Sequence, residues 1–141
     1  MERENRRERR RLIGGIYPPA ADLASLRRTL TLQRTPPHGV VSLEDIVRFA
    51  RAPGSFESVL ITFGDAHVGD GVVTLRGERG SLAVSYDASV VGVRVERTPD
   101  VDLAEGPTAI TRVIFAASDP AQELAVRLHL EPLPPTPPTS R

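Results

Sequence analysis

The segment "GVVTLRGERGSLAVSYD", residues 71–87, decides the fold class. Val73 and Leu75 alternate with other residues before the turn, and Leu82 and Val84 do so after it. A period of two places the apolar side chains of a strand on one face. The central "GERG" is bounded by glycines, which favour a reversal of the chain. The segment therefore predicts an antiparallel β-hairpin with one buried face and one solvated face.

The same two-residue period recurs on both sides of this hairpin. It marks the segments 29–33, 40–49, 55–63, 91–95, 110–116 and 124–130. Turns rich in Gly, Pro and Asp separate these segments, and no long helical pattern lies between them. Short, regularly spaced strands without intervening helices are typical of a two-sheet sandwich. We therefore predict an all-β fold, an antiparallel β-sandwich of about eight or nine strands.

Composition divides the chain into three parts. Residues 1–26 begin with the charged run "MERENRRERRR" and are predicted to be a flexible or weakly structured Arg-rich lead. Residues 27–131 carry the alternating segments and are predicted to form the β-sandwich domain. Residues 132–141 contain five prolines in ten positions. Because proline cannot donate to a strand ladder, these last residues predict an extended Pro-rich tail.

The charge balance argues against nucleic acid and membrane as partners. The chain has 18 basic and 18 acidic residues, so no overall field attracts it to a polyanion. The arginines of residues 1–11 have no interleaved aromatic residue for base stacking, and a solvated terminus is the preferred interpretation. No signal-peptide pattern and no apolar run of about 20 residues appears, and the localisation is left open.

Few residues suggest chemistry. Asp65 and His67 lie in "GDAHVGD" (64–70), where two carboxylates and an imidazole could bind a metal ion; turns select Gly and Asp for backbone reasons alone. Asp45 stands on the otherwise apolar face of 40–49, and we predict that it pairs with an arginine or a backbone N–H inside the sheet. The alternative is a bulge that turns Asp45 outward. Asp45, Asp65 and His67 are thus the metal candidates that we weigh. We predict no metal site, no cofactor and no catalytic residue, because no nucleophile–base order, P-loop or HExxH motif appears.

The segment "SFESVLITF", residues 55–63, is apolar on both alternating faces. A strand with one solvated face should not show this pattern. We therefore predict that Val59, Ile61 and Phe63 form a docking interface for another domain. The alternative is a central strand whose second face is covered by residues 12–26 or by the loop that follows it.

Seven segments, in their order along the chain, resemble a known family. They are "RRTLTLQR" (27–34), "VVSLEDIVRF" (40–49), "SVLITFGDAHV" (58–68), "GVVTLRGERGSLAVSYD" (71–87), "VRVERTPDVDL" (93–103), "TAITRVIFAA" (108–117) and "ELAVRLHLEP" (123–132). Together they resemble the C-terminal β-sandwich of the bacterial heparinase II/III-like polysaccharide lyases.

This resemblance implies a role beside a catalytic domain. Lyases of this family have an α/α toroid that cleaves uronic-acid polysaccharides by β-elimination, and they are often periplasmic or secreted. By resemblance, the chain is a non-catalytic C-terminal domain, or a truncated fragment, that packs against a toroid which it does not contain. Anionic polysaccharide would then be a further partner. The alternative is a free-standing β-sandwich module that binds carbohydrate or protein, or that serves in assembly.

One residue matches a functional position of the family. Zinc-carrying members have a mid-strand Asp followed shortly by a His. Asp45 matches that Asp, but the following strand reads Leu60, Ile61 and Thr62 without a His. Asp45 is therefore carried over as a match of position only.

Overall fold

The computed structural model describes residues 6–12, 21–35 and 38–135, and for 6–12 it describes the backbone. Ten strands occur in these residues: β1 (Arg6–Leu12), β2 (Leu23–Gln33), β3 (Val40–Phe49), β4 (Glu57–Thr62), β5 (Asp65–Val68), β6 (Val72–Gly77), β7 (Gly80–Ser85), β8 (Val91–Leu103), β9 (Gly106–Ala117) and β10 (Glu123–Pro132). All paired strands are antiparallel, and the described residues contain no α-helix. The predicted all-β antiparallel sandwich is confirmed.

The strands form two sheets of unequal width. The larger sheet has the order β1-β2-β3-β10-β7-β6-β5, and the smaller sheet has the order β4-β9-β8. The hairpin expected in residues 71–87 is the β6–β7 pair, in which Val73 lies opposite Val84 and Leu75 opposite Leu82. Three strands cannot cover seven, so part of the larger sheet's inner face has no counterpart in the smaller sheet.

The main core lies between the two sheets. Its buried members are Leu43, Val73, Val84, Val91, Val113, Phe115, Val126 and Leu128. A second cluster (Leu26, Val47, Phe49 and Leu124) extends this core toward one end of the larger sheet. Each fully buried Val or Leu contributes about 1.5–3 kcal/mol relative to an exposed one, and this burial holds the sheets face to face.

Residues 1–26, which were predicted to be flexible or weakly structured, contain strand β1 and the start of strand β2. Strand β1 pairs with β2 from Arg6 opposite Gln33 to Leu12 opposite Arg27, and β2 begins at Leu23. The sequence did not indicate β1 because a run of charged residues has no apolar period. Strand β1 forms by backbone pairing with β2. A local sequence pattern does not show which strands pair with each other.

At the other end, β10 extends through Pro132, and residues 133–135 have no regular structure. The remainder of the predicted Pro-rich tail lies outside the described residues. Within the described part of the chain, no helix is long and apolar enough to cross a membrane.

Candidate functional site

Asp45 is fully buried and links the two sheets. Arg28 donates from Nε and Nη2 to its two carboxylate oxygens at 2.7 Å each, and the Ser58 hydroxyl donates to Oδ2 at 2.5 Å. Arg28 lies on β2, Asp45 on β3 and Ser58 on β4. The prediction that Asp45 pairs with an arginine inside the sheet is confirmed. A carboxylate with these partners has the compensation that burial of a charge requires, which makes its role structural.

The structure does not bring the three metal candidates together. Asp65 and His67 are both exposed on β5, at the far edge of the larger sheet. Strands β10, β7 and β6 separate β5 from β3, the strand of Asp45, a distance of about 19 Å at the usual strand spacing. Asp65 instead accepts a hydrogen bond from Arg97 at 3.2 Å. The described residues contain no group of three or more His, Cys, Asp or Glu that could hold a metal ion.

Strand β4 exposes apolar side chains on its outer face. Ser58 and Leu60 face the core, so Val59 and Ile61 face outward by alternation, and Phe63 directly follows the last residue of the strand. Ile61 is 64% exposed and Phe63 is 69% exposed, whereas Val59 is half-buried. We call Val59, Ile61 and Phe63 the β4 outer patch. The loop after β4 does not cover this patch, and residues 13–20 lie outside the described part of the chain.

An ion-pair network borders the β4 outer patch. Arg94 on β8 reaches across β9 to donate to Glu57 on β4, at 2.7 and 3.1 Å, and Ile114 beneath it is fully buried. Arg112, directly opposite Ile61, donates to Glu96 at 3.0 Å. The hydrogen bonds from Arg94 lower the pKa of Glu57 below its ordinary value. The result is an apolar patch with a polar border, an arrangement found at protein–protein interfaces.

The opposite side of the molecule has a polar groove. It lies on the outer face of β2, β3 and β10 and has a volume of about 470 Å³. Its polar lining residues are Arg27, Thr29, Thr31, Ser42, Glu44, Ser85, Arg127 and His129. Arg127 donates to Glu44 at 2.6 Å, and Ser42 Oγ lies 3.3 Å from His129 Nδ1.

Sequence reasoning missed this groove. The groove depends on β3 lying between β2 and β10. The only local signal is the run of polar residues at alternating positions of each strand, and that pattern is equally typical of any solvated sheet face.

No family model matches the chain, and no curated protein matches it at a significant level.

Proposed function

We propose that this chain is a non-catalytic β-sandwich domain that docks on a partner domain through the β4 outer patch. The observation that carries the proposal is the exposure of Ile61 and Phe63, at 64% and 69%. Large apolar side chains grouped at one place on the surface of a domain mark an interaction site. Covering each of them would contribute up to about 1.5–3 kcal/mol of hydrophobic free energy, which offsets part of the cost of association.

The proposed partner is the α/α toroid of a heparinase II/III-like polysaccharide lyase. The order of the alternating segments supports this choice of partner. In such an arrangement the toroid supplies the base that removes the proton alpha to the uronate carboxylate. The sandwich supplies a rigid support, and its buried carboxylate, Asp45, is occupied by Arg28 and Ser58.

The first experiment asks whether the coding sequence that flanks this chain encodes an α/α toroid. If it does, the toroid and the sandwich are produced separately, and their affinity is measured by titration calorimetry. The double variant Ile61→Ser/Phe63→Ser should weaken docking at least about tenfold, since tenfold corresponds to 1.4 kcal/mol. The control is Val68→Ser/Val90→Ser, which changes two side chains that are each 52% exposed elsewhere on the surface.

Three results would contradict the proposal. The first is equal docking of the patch variant and the wild type. The second is a flanking sequence without helical repeats. The third is lyase activity of this chain alone, measured as ultraviolet absorbance of unsaturated products from heparan, alginate and hyaluronan. Turnover that disappears in His67→Ala would assign catalysis to this chain.

The polar groove favours a second candidate, a free-standing module that binds an anionic saccharide. Hydroxyl groups of Thr29 and Ser42 could bond sugar hydroxyls, and Arg27 is exposed at the groove wall and could bind a carboxylate. Calorimetric titration with alginate and hyaluronan oligosaccharides tests this candidate. Binding that is lost in Arg27→Ala and kept in Arg79→Ala, an exposed arginine of the β6–β7 turn, would favour it over toroid docking.

A further inference from the structure

A second concavity lies at the corner where the chain passes from the smaller sheet to the larger sheet. Strand β4 ends at Thr62, Phe63 and Gly64 follow it, and β5 begins at Asp65 in the other sheet. Residues 62–65 form one wall of this concavity and residues 76–80 form the other, and its volume is about 710 Å³. We call it the corner pocket. Its volume is typical of a site for a small molecule.

Three glycines keep the corner pocket open. The N–H of Gly64 donates to the hydroxyl of Thr62 at 3.0 Å, which fixes the bend after β4. A Cβ at Gly64 would collide with the carbonyl group of Arg76, so the two walls approach each other closely at their base. Gly77 and Gly80 pair across the β6–β7 turn, and Gly80 has a φ of +152°, which favours glycine. Because these three residues have no side chains, the space between the walls is unfilled.

An exposed aromatic ring borders this space. The side chain of Phe63 lines the corner pocket and is 69% exposed, so its ring is accessible to a ligand. Aromatic rings pack favourably against the faces of other rings. Phe63 also belongs to the β4 outer patch, and the corner pocket therefore adjoins the proposed docking surface.

Two arginines of the opposite wall have no carboxylate partner among the described residues. Arg76 lies directly opposite Asp65 in the strand register, but Asp65 accepts a hydrogen bond from Arg97 at 3.2 Å instead. Neither Arg76 nor Arg79 makes a hydrogen bond or an ion pair with another described side chain. Since Arg97 balances the charge of Asp65, the two arginines and Glu78 leave the pocket with one excess positive charge.

These side chains define the chemistry of a matching ligand. A guanidinium binds a carboxylate through paired N–H donors, and one excess positive charge matches one negative charge. The ring of Phe63 matches the face of a ring. The carboxylate of Glu78 accepts hydrogen bonds from hydroxyl groups. A ligand that uses all of these groups is a ring with one carboxylate and at least one hydroxyl group.

We propose that the corner pocket binds a small hydroxylated ring carboxylate, the chemistry that sugar acids and phenolic acids share. The carboxylate pairs with Arg76 and Arg79, the ring packs on Phe63, and a hydroxyl group donates to Glu78. This site is separate from the polar groove, which lies on the outer face of β2, β3 and β10. The inference does not rest on the docking role of the β4 outer patch, because it requires no partner protein.

The test is a titration of the full isotope-labelled chain followed by NMR. One pair of probes is methyl glucuronide and methyl glucoside, and the other pair is para-hydroxybenzoate and para-hydroxybenzyl alcohol. Within each pair the ring is kept and the carboxylate is replaced by an uncharged group. Acetate supplies a carboxylate without a ring. The two pairs distinguish a sugar acid from a phenolic acid.

Three variants accompany the titration. Arg76→Gln/Arg79→Gln removes both positive charges, and Phe63→Leu removes the flat ring but keeps an apolar side chain. These residues are exposed, so the core is undisturbed, and the NMR spectrum of each variant verifies its fold. The control is Arg48→Gln, which changes an exposed arginine of β3 outside the corner pocket.

At least one ring carboxylate should bind saturably and shift the amide resonances of residues 62–65 and 76–80. Its uncharged twin and acetate should bind at least about tenfold more weakly, and so should the carboxylate to the double arginine variant. Phe63→Leu should weaken binding by about three- to tenfold, whereas Arg48→Gln should match the wild type. Affinity should fall between about 50 mM and about 500 mM NaCl. Tighter binding of methyl glucuronide would assign the pocket to sugar acids, and tighter binding of para-hydroxybenzoate would assign it to phenolic acids.

Four results would overturn the inference. They are the absence of saturable binding by both ring carboxylates, equal binding of a carboxylate and its uncharged twin, undiminished binding by the double arginine variant, and resonance shifts in the polar groove instead of the corner pocket. Each of these results leaves the proposed docking intact, because docking is measured against a toroid with the variant Ile61→Ser/Phe63→Ser. Conversely, a chain that binds a ring carboxylate but docks on no toroid would keep this inference and lose the proposed function.

Discussion

At the scale of single residues, Asp45 decides how the two sheets are joined. It is a carboxylate with no exposed surface, and it is held by a forked ion pair from Arg28 and a hydroxyl from Ser58. Removing one partner of a buried pair costs more than the pair contributes, because the remaining charge keeps its desolvation penalty. The neighbouring Glu44 points to the other face and pairs with the exposed Arg127.

We therefore predict that Asp45→Ala lowers the free energy of unfolding by about 3 kcal/mol. This lies at the low end of the range for buried pairs because the Arg28 side chain is 38% exposed and can reach water. The control Glu44→Ala should cost at most about 1 kcal/mol, as surface pairs do. Urea unfolding followed by circular dichroism measures both. Equal costs for the two variants would contradict a structural role of Asp45.

Gly64 occupies a position where the backbone passes very close to a neighbouring strand. A Cβ added there would lie 2.0 Å from the carbonyl oxygen of Arg76, so Gly64→Ala should destabilise the protein by about 1–3 kcal/mol. At Gly92, an added Cβ would meet no atom within 4 Å. Gly92→Ala should raise stability by about 0.4–1 kcal/mol, because alanine has less freedom in the unfolded chain. Thermal unfolding of both variants tests the contrast, and a tolerated Gly64→Ala would show that the approach is not tight.

At the scale of elements, the smaller sheet is tied across its width by one ion pair. Arg94 of β8 and Glu57 of β4 meet above β9 and cover Ile114. The aliphatic part of an arginine can shield an apolar neighbour while its charged end remains solvated. The pair thus stabilises the sheet in two ways: the two charges attract each other, and the side chains shield Ile114 from water. Both side chains are nevertheless about half exposed.

The lowered pKa of Glu57 predicts a pH dependence. Hydrogen bonds from Arg94 hold that pKa below its ordinary value of 4.5, so the folded state favours the ionised carboxylate. The pair's contribution, at most about 1 kcal/mol for such exposed groups, is present above pH 4.5 and is lost as the pH falls through the lowered pKa. The Tm difference between wild type and Glu57→Gln should therefore shrink from pH 7 to about pH 3. Glu78→Gln, in the exposed β6–β7 turn, is the control; a constant difference for Glu57→Gln would contradict this account.

At the scale of the whole molecule, the unequal widths of the sheets determine which surfaces are open. Strand β4, at the edge of the smaller sheet, lies above β3, whereas β2 and β1 lie beyond that edge. This mismatch exposes Leu30 on the inner side, and Ile61 on the outer face of β4 is exposed together with Phe63, which follows the strand. Apolar surface is therefore concentrated on both sides of one edge, where an incoming partner could cover it.

The double variant Ile61→Ser/Phe63→Ser should leave the fold intact. Substitutions at exposed positions usually change stability by no more than about 0.5 kcal/mol each, and this variant should also reduce self-association measured by light scattering. Val113→Ala, in the fully buried core, should by contrast cost about 2 kcal/mol or more. A loss of several kcal/mol in the double variant would show that the β4 outer patch is covered in solution, and it would refute its role as a docking surface.

The amino-acid sequence alone determined the elements and their faces. The two-residue period located the hairpin of β6 and β7, and it placed Asp45 in a buried row with the expectation of an arginine or a backbone N–H as its partner. Periodicity succeeds here because the alternation of side chains along a strand is a local property of the backbone. It failed for β1, whose charged residues carry no such period.

Only the tertiary structure decided which strands are neighbours, and the candidate sites depend on this. Arg28 and Ser58 lie 17 and 13 residues from Asp45 in sequence, and no pattern singles them out from other arginines and serines. The sequence marked Ile61 and Phe63 as unusual, but their exposure follows from the position of β4 at a sheet edge. The exposure of Leu30 on β2 and the polar groove likewise depend on the order of strands. Strand order is set by long-range packing of faces that look alike in sequence, which is why the tertiary structure was needed to find them.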